Sequence, residues 1–506
     1  MLKTYPKDVD TRDSYKCIWN DIVFCEVPLG TTEDNNVYNI EIDGIIRQMW
    51  ICEQQANASE DIEEMDIVYA RCYKSMLLLD PIMREYVLNI EYENEMVYAI
   101  KAVAGSGKTT ILLDIAKCNS GKKILYLAFN RAIVTDIRRR KHTVAKNIQP
   151  YTFDALMRRL YIKNNPGVEC IITDLRPVTF GDIRGYEWFA KKSFKMKQDL
   201  INIYNGFCKN TLYNDMALYI KKFYPTVSEF SVKTLIKMWN DTKCNRIITF
   251  NSIRKMALIH GWFKTVDAEF DLIFIDEAQD FDKIMLKMLL EQCELPKIFV
   301  GDPKQAIYKW RGAINSFNLL PTDSHIVEFY KTWRIGNPAC EDIRNKFTDC
   351  WMVAGTNNDT RLHEDVSPKD VSYHYLFRSW KGLLTTASNM SNIWINDFEN
   401  KRRAIKRLHP KLLRFGKDAT TEFEDDLPNF LLKLSPDELE DIITNIERNL
   451  VDRRVAKCCM FTIHAYKGLE QDNIRIFSDI NKDDKEEEEL FYVALTRGKK
   501  NIYLDE

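Results

Sequence analysis

The 13 cysteines form no CxxC pair and no Cys/His spacing that would hold zinc. They read as reduced thiols, which fits an intracellular protein better than a secreted one. No apolar run approaches the roughly 20 residues that span a bilayer. The opening MLKTYPKDVDTRD is polar where a secretory signal is apolar. A soluble chain with no membrane partner is expected, in nucleus or cytoplasm alike. No charge sign dominates: 72 Lys and Arg face 74 Asp and Glu, a net charge of −2. Bulk charge therefore does not announce a polyanion partner, and any such partner needs local basic patches. Internal repeats and long low-complexity tracts are also absent. What remains is an ordinary globular composition, 45% hydrophobic and 29% charged, over 506 residues. That length suggests three or four domains, each able to bury a core.

Against this background three short stretches stand out. MVYAIKAVAGSGKTTILLDIAK reads as strand, glycine loop, helix. Gly105 and Gly107 let backbone N–H groups converge on phosphates, with Ala104, Ser106 and Thr110 in the same loop. Lys108 can reach the outer phosphates and Thr109 can ligate Mg²⁺. Ala102 stands where the general pattern has its first glycine. In FDLIFIDEAQDF, the apolar run Leu272 to Ile275 suits a parallel strand buried on both faces. Asp276 and Glu277 emerge at its C-terminal end, where open α/β sheets bind ligands. Asp276 fits as a Mg²⁺ partner and Glu277 as the base that deprotonates an attacking water. In GDPKQAIYKWRGA, Gln305 follows another buried strand and lies in reach of a γ-phosphate. Tyr308, Trp310 and Arg311 follow closely. Aromatics that stack on bases grip any sequence of a single strand, and Arg311 suits a phosphate. The competing reading makes Tyr308 and Trp310 core aromatics.

With GSGKT, DEAQD and GDPKQAIYKWRGA in this order, the chain resembles superfamily 1 DNA helicases of the UvrD/Rep type, and among them the F-box DNA helicase branch, although no F-box is seen. Further stretches match the family's motifs: LDPIMREYV (79–87), AFNRA (128–132), YTFDAL (151–156), FYKTWRIG (329–336), FTIHAYKGLEQDNI (461–474) and EELFYVALTRGKKNIYL (488–504). The resemblance implies an α/β fold with two RecA-like parallel-sheet motor domains and inserted, mainly helical accessory domains. It implies ATP and Mg²⁺, with Lys108 and Thr109 on phosphate and metal, Glu277 as base and Gln305 as γ-phosphate sensor. Arg334 and Arg497 would act as arginine fingers. Trp333 would stack on adenine and Glu470 would contact the nucleotide. Candidate strand contacts are Phe129, Asn130, Thr152, Phe153, Thr462 and His464. A Phe before a helix is usually core, and His464 fits a core histidine equally well. Arg378, ending a strand, is a candidate backbone contact.

Three positions depart from the family pattern. Met83 replaces the Gln that reads adenine, which predicts relaxed nucleotide choice. Thr110 replaces an Arg that stacks on the base, and Asp154 stands where relatives often carry His. The expected layout is motor domain 1A at 79–155 and 262–320, accessory domain 1B at 156–261, motor domain 2A at 321–395 and 455–506, and a reduced domain 2B at 396–454. The last carries the basic run KRRAIKRLHPKLLRFGK, either a solvated or targeting patch or a duplex-phosphate contact. DDKEEEE reads as a helix start. Residues 1–78 contain the strand-like CIWNDIVFCEV and are a packing domain or a module that docks a protein partner.

Three functions compete. The first is an ATP-driven translocase that unwinds DNA 3′ to 5′, acting on single strands and single/double-strand junctions. The second is a translocase that strips proteins from single strands. The third is a non-enzymatic scaffold, against which the intact Lys108, Glu277, Gln305, Arg334 and Arg497 argue. RNA remains open as a substrate, because stacking and phosphate contacts read the 2′-OH poorly.

Overall fold

Short apolar runs, too brief for helices and apolar on both faces, build two parallel sheets. The computed structural model describes residues 14–19, 22–28 and 80–505, apart from 141–144, 167–179, 245–247, 309–314, 348–349, 351, 365, 369, 417–426 and 482–483. β1 (Ser14–Trp19) and β2 (Ile22–Pro28) form an antiparallel hairpin. The first sheet uses β3 (Val97–Ala102), β4 (Ile124–Ala128), β5 (Ile148–Thr152), β6 (Leu272–Asp276), β7 (Lys297–Gly301) and β8 (His325–Phe329). Its order is β5-β4-β6-β7-β3-β8, and every neighbouring pair is parallel. The central strands β4, β6 and β7 are buried throughout, whereas the edge strand β8 is only partly buried.

β9 (Lys331–Thr332) pairs in parallel with β10 (Val353–Ala354) and carries the chain out of the first sheet. The second sheet uses β11 (Arg361–Glu364), β12 (Tyr373–Phe377), β13 (Ile393–Ile395), β14 (Cys458–Thr462), β15 (Gln471–Ile476) and β16 (Gly498–Leu504). Its order is β11-β16-β15-β12-β14-β13, again parallel throughout. Parallel strands need crossovers, and helices supply them on both faces. The acidic run before Leu490 does open a helix, Lys485–Leu495.

One boundary moves. β8 falls in the segment expected for the second motor unit, yet it pairs with β3 along Tyr98–Ala102. The division between the sheets therefore follows Phe329. Between β5 and β6 lie helices Phe153–Asn164, Phe194–Lys209, Met216–Phe223, Glu229–Lys243 and Phe250–His260. Their aromatics mostly face inward: Tyr204, Phe207 and Trp239 are buried, with the Phe207 and Trp239 rings 5.0 Å apart. Between β13 and β14 lie helices Phe398–Phe415, Leu427–Leu431 and Pro436–Asn449. Among the described residues no helix is long and apolar enough to cross a membrane.

The Asp154 departure has a structural partner. Arg254, on the last inserted helix, donates from Nε to Asp154 at 2.7 Å and from a terminal nitrogen to Asp282 at 2.7 Å. A histidine at position 154 would offer this guanidinium no anion, whereas the carboxylate pairs with it. Arg254→Ala leaves two poorly solvated carboxylates facing each other, so it should lower stability by about 3–5 kcal/mol. Calorimetric melting checks this, and an unchanged Tm would show that the triad carries no weight.

Candidate nucleotide site and strand path

The loop between β3 and helix Lys108–Cys118 turns through two left-handed glycines, Gly105 at φ 75° and Gly107 at φ 85°. A Cβ on Gly105 would lie 2.6 Å from both Arg334 Cβ and Thr332 Oγ1, so only glycine fits there. The Trp333 N–H donates to the Gly105 carbonyl at 2.9 Å. The phosphate loop is thus clamped by the segment that leads from the first sheet to the second.

Several features of this loop fit a nucleotide with Mg²⁺. Ser106 is wholly buried and its Oγ has no protein partner. Lys108 Nζ rests on the Ala102 and Val103 carbonyls at 3.3 and 3.4 Å, in the mouth of the loop. Thr109 Oγ1 donates to Asp276 at 3.2 Å, bringing together the two expected Mg²⁺ ligands. Ala104 is buried, and its N–H donates across to the Tyr492 hydroxyl at 3.4 Å. Thr110 faces solvent.

Asp276 and Glu277 share the end of β6. Burial, and then the Glu277 charge, raise the Asp276 carboxyl to about 6. The Tyr126 hydroxyl donates to it, and its other oxygen accepts the Glu277 N–H at 2.9 Å. Burial also pushes Glu277 upward. Lys108, Lys467, the Gln279 amide and Arg497 outweigh this and hold it below its ordinary value. Two adjacent carboxylates with opposed shifts suit division of labour between metal and base. Glu277 also sits at φ 53°, a left-handed conformation that a non-glycine residue adopts at a cost of about 1–3 kcal/mol.

Gln305 is buried. Its amide nitrogen donates to Asp302 at 2.7 Å and its oxygen accepts from Arg497 at 2.8 Å. Tyr492 OH donates to the same Asp302 oxygen at 3.2 Å. Arg497 is pulled down to about 10 by burial and by Arg334, which leaves it a cation at neutral pH. Arg334 donates to Glu470 at 2.6 Å and to the Thr496 carbonyl at 3.0 Å. Glu470 is held between Arg334 and Lys499, whose ammonium is 2.5 Å away. It therefore holds Arg334 in place rather than standing free. Lys467, which caps the short helix Ile463–Tyr466 after β14, donates to both oxygens of Asp280 at 2.8 Å and to the Gln305 carbonyl at 2.6 Å. Tyr126, Gln279, Asp280, Asp302, Lys467 and Tyr492 were not singled out in the sequence. The first hint was available in DEAQD and KGLE, where charged residues continue past the expected pair.

Trp333 is 52% exposed beside the loop, with Lys331 Nζ 4.7 Å from its ring centre, so one large apolar face is open to a base. Met83 is not at this surface. It is wholly buried in the core under the first sheet, so its thioether says nothing about adenine. The next residue, Arg84, reaches the site instead: it donates to the Ser106 carbonyl at 2.7 Å and to Asp80 at 2.6 Å.

A second group of expected residues lies along the ends of both sheets. Phe129 and Tyr308 are half-buried with ring centres 5.6 Å apart, and Tyr308 and His464 are 6.0 Å apart. Tyr308 OH also donates to the His464 carbonyl at 3.1 Å. This row crosses from one sheet to the other. Thr152 and Thr462 each cap a helix, accepting from Ala155 and Ala465 N–H at 3.1 and 3.4 Å. Asn130, exposed, caps the helix after β4 by accepting from Ala132 N–H at 2.8 Å. One expectation fails: Phe153 is buried between Phe263 and Phe281, with ring centres 6.0 and 5.8 Å away, so it is core. Arg378 donates from Nε to Glu487 at 2.7 Å. Trp310 and Arg311 lie outside the described residues.

Comparison with known proteins agrees with this geometry. Residues 86–325 match the UvrD/REP helicase N-terminal domain, and residues 400–504 match the viral superfamily 1 RNA helicase core domain. The chain is 25% identical to F-box DNA helicase protein 1 of Schizosaccharomyces pombe and 23% identical to F-box DNA helicase 1 of Gallus gallus. These matches cover 81% and 84% of this chain. It spans only about half of those relatives, 55% and 48% of their lengths. A probable DNA helicase of Mycoplasma pneumoniae is 25% identical over 81% of this chain and 80% of its own length. On these matches, and on the motif order and paired parallel sheets that accompany them, the chain belongs to the superfamily 1 helicases of the UvrD/Rep type.

Proposed function

We propose that this chain is an ATP-driven motor that travels 3′ to 5′ on single-stranded DNA and separates strands at single/double-strand junctions. The observation that carries this reading is the buried chain of contacts from the carboxylates of the first sheet to the cations of the second. Lys108, Thr109 and Asp276 would hold the phosphates and Mg²⁺. Mg–ATP, when bound, would supply the γ-phosphoryl group that is transferred to water, with ADP as the leaving group. Glu277, kept ionised by its surrounding cations, takes the water proton. Arg334 and Arg497 offset charge that builds on the phosphoryl oxygens.

Coupling to the strand follows from short covalent distance. Gln305 bridges Asp302 and Arg497, and Tyr308 stands three residues later, against His464. Lys467 is bonded to the Gln305 carbonyl and to Asp280. Any shift of the second sheet on hydrolysis therefore pulls on Gln305 and on the aromatic row together. Phe129, Tyr308 and His464 offer rings to bases, Thr152 offers a helix N-terminus to a phosphate, and Thr462 lies beside His464 at the end of β14.

Glu277→Gln should lower oligo(dT)-stimulated ATP hydrolysis at least about 100-fold while nucleotide binding survives. Lys108→Ala should lose both. Paired with strand displacement on 3′-tailed, 5′-tailed and blunt duplexes in DNA and RNA, this separates the readings. Unwinding confined to 3′-tailed DNA supports the proposal. Stimulated hydrolysis without displacement would favour protein stripping, and near-normal turnover in Glu277→Gln would remove the base from its role.

Tyr308→Ala should weaken single-strand binding by about 1–3 kcal/mol. Basal hydrolysis without DNA should stay within about twofold, because no catalytic group moves. Fluorescence anisotropy and steady-state ATPase read the two effects. A fall in basal hydrolysis together with Tm would return Tyr308 to a packing role.

A further inference from the structure

The side chains of the central strand β4 are all buried, and the Tyr126 hydroxyl is the one polar atom among them. Alternation along the strand divides them between two cores. Leu125 and Leu127 pack with the inserted helices, while Ile124, Tyr126 and Ala128 pack on the face covered by helix Lys108–Cys118. In the register with β6, Tyr126 stands opposite Phe274 and Ala128 opposite Asp276. Tyr126 and Asp276 are therefore diagonal neighbours on one face, within reach of a long side chain. Ala128 is short and leaves room beside the carboxylate. The phenol reaches it from one pleat away, and its hydroxyl donates to Asp276.

The same carboxylate oxygen accepts from Thr109 Oγ1 at 3.2 Å, and the other oxygen accepts the Glu277 N–H at 2.9 Å. Three donors from three segments thus hold both oxygens of Asp276. A carboxylate held at both oxygens cannot turn about Cβ–Cγ without losing a bond. Packing alone does not call for the phenol. The Tyr126 ring meets Phe274 edge-on with centres 6.4 Å apart, a contact that phenylalanine would make equally well. A buried hydroxyl with no acceptor is destabilising, so the hydroxyl is useful here only through the carboxylate it holds. Tyr126 is wholly buried beneath Asp276 and does not itself reach the nucleotide site.

Resting on the assignment of Thr109 and Asp276 to Mg²⁺ in the motor reading above, we propose that Tyr126 is a positioning residue of the metal site. By holding the Asp276 carboxylate in the orientation that meets Thr109, it sets the affinity for the divalent cation that accompanies the nucleotide. Groups that orient a metal-binding side chain typically account for about 10–100-fold in metal affinity. Tyr126→Phe deletes the hydroxyl and keeps the ring. The test measures binding of a fluorescent, non-hydrolysable ATP analogue to the full chain across a Mg²⁺ series and again in EDTA. In Tyr126→Phe the Mg²⁺ concentration at half-saturation should rise about tenfold or more, while binding in EDTA stays as in wild type. Phe274→Leu disturbs the ring opposite without touching the hydroxyl. It should lower Tm and leave the Mg²⁺ midpoint in place. A Tyr126→Phe protein that loses Tm but keeps the wild-type midpoint makes the hydroxyl a purely structural group and overturns the assignment. A midpoint that Phe274→Leu moves equally overturns it as well. A wild type whose analogue binding ignores Mg²⁺ would instead strike the metal site of the motor reading itself.

Discussion

Two carboxylates end one buried strand, and they cannot both carry charge in that setting without cations close by. Asp276 and Glu277 meet this constraint only in part from their own sheet, through Lys108. The rest comes from Lys467 and Arg497, which belong to the second sheet's half of the chain. Electrostatics at the end of β6 therefore requires the two halves to meet. The arrangement is a property of the interface, and any movement of one sheet changes the environment of Glu277 directly.

The same interface explains why the polar and aromatic parts of GDPKQAIY sit on one loop. Gln305 is held by Asp302 on one side and Arg497 on the other, while Tyr308 rests between Phe129 and His464. The contacts to Arg497 and His464 cross between the sheets. Mechanical linkage then needs no long pathway, only a loop too short to let its ends move independently. Buried polar groups add rigidity, because each lost partner would leave a group without water or protein to satisfy it.

Much of this was legible in the sequence because nucleotide chemistry demands specific residues at fixed spacing. Gly105, Gly107, Lys108 and Thr109 could be read from the loop, and Asp276 and Glu277 from an apolar run that stops abruptly at two acids. Burial and cross-sheet pairing were less legible. Phe153 and Tyr308 are both aromatics near the end of a strand, yet only the packing of Phe263 and Phe281 assigns the first to the core. Met83 occupies a readable motif position, but it lies wholly buried in the apolar interior. β8 could not be assigned to a sheet by composition, since its partner lies far upstream at β3. Lys467 and Asp280 are separated by most of the second half of the chain, and nothing local marks them as a pair.

The central claim is that one catalytic unit spans both sheets, with Gln305 and Arg497 acting through their shared contact. A double-mutant cycle on stimulated ATP turnover tests it most directly. Gln305→Ala and Arg497→Ala should each lower kcat about 100-fold or more, and the double variant should be no worse than the more damaged single variant. Losses that multiply in the double variant would mean the two residues act independently, and the cross-sheet account would fail.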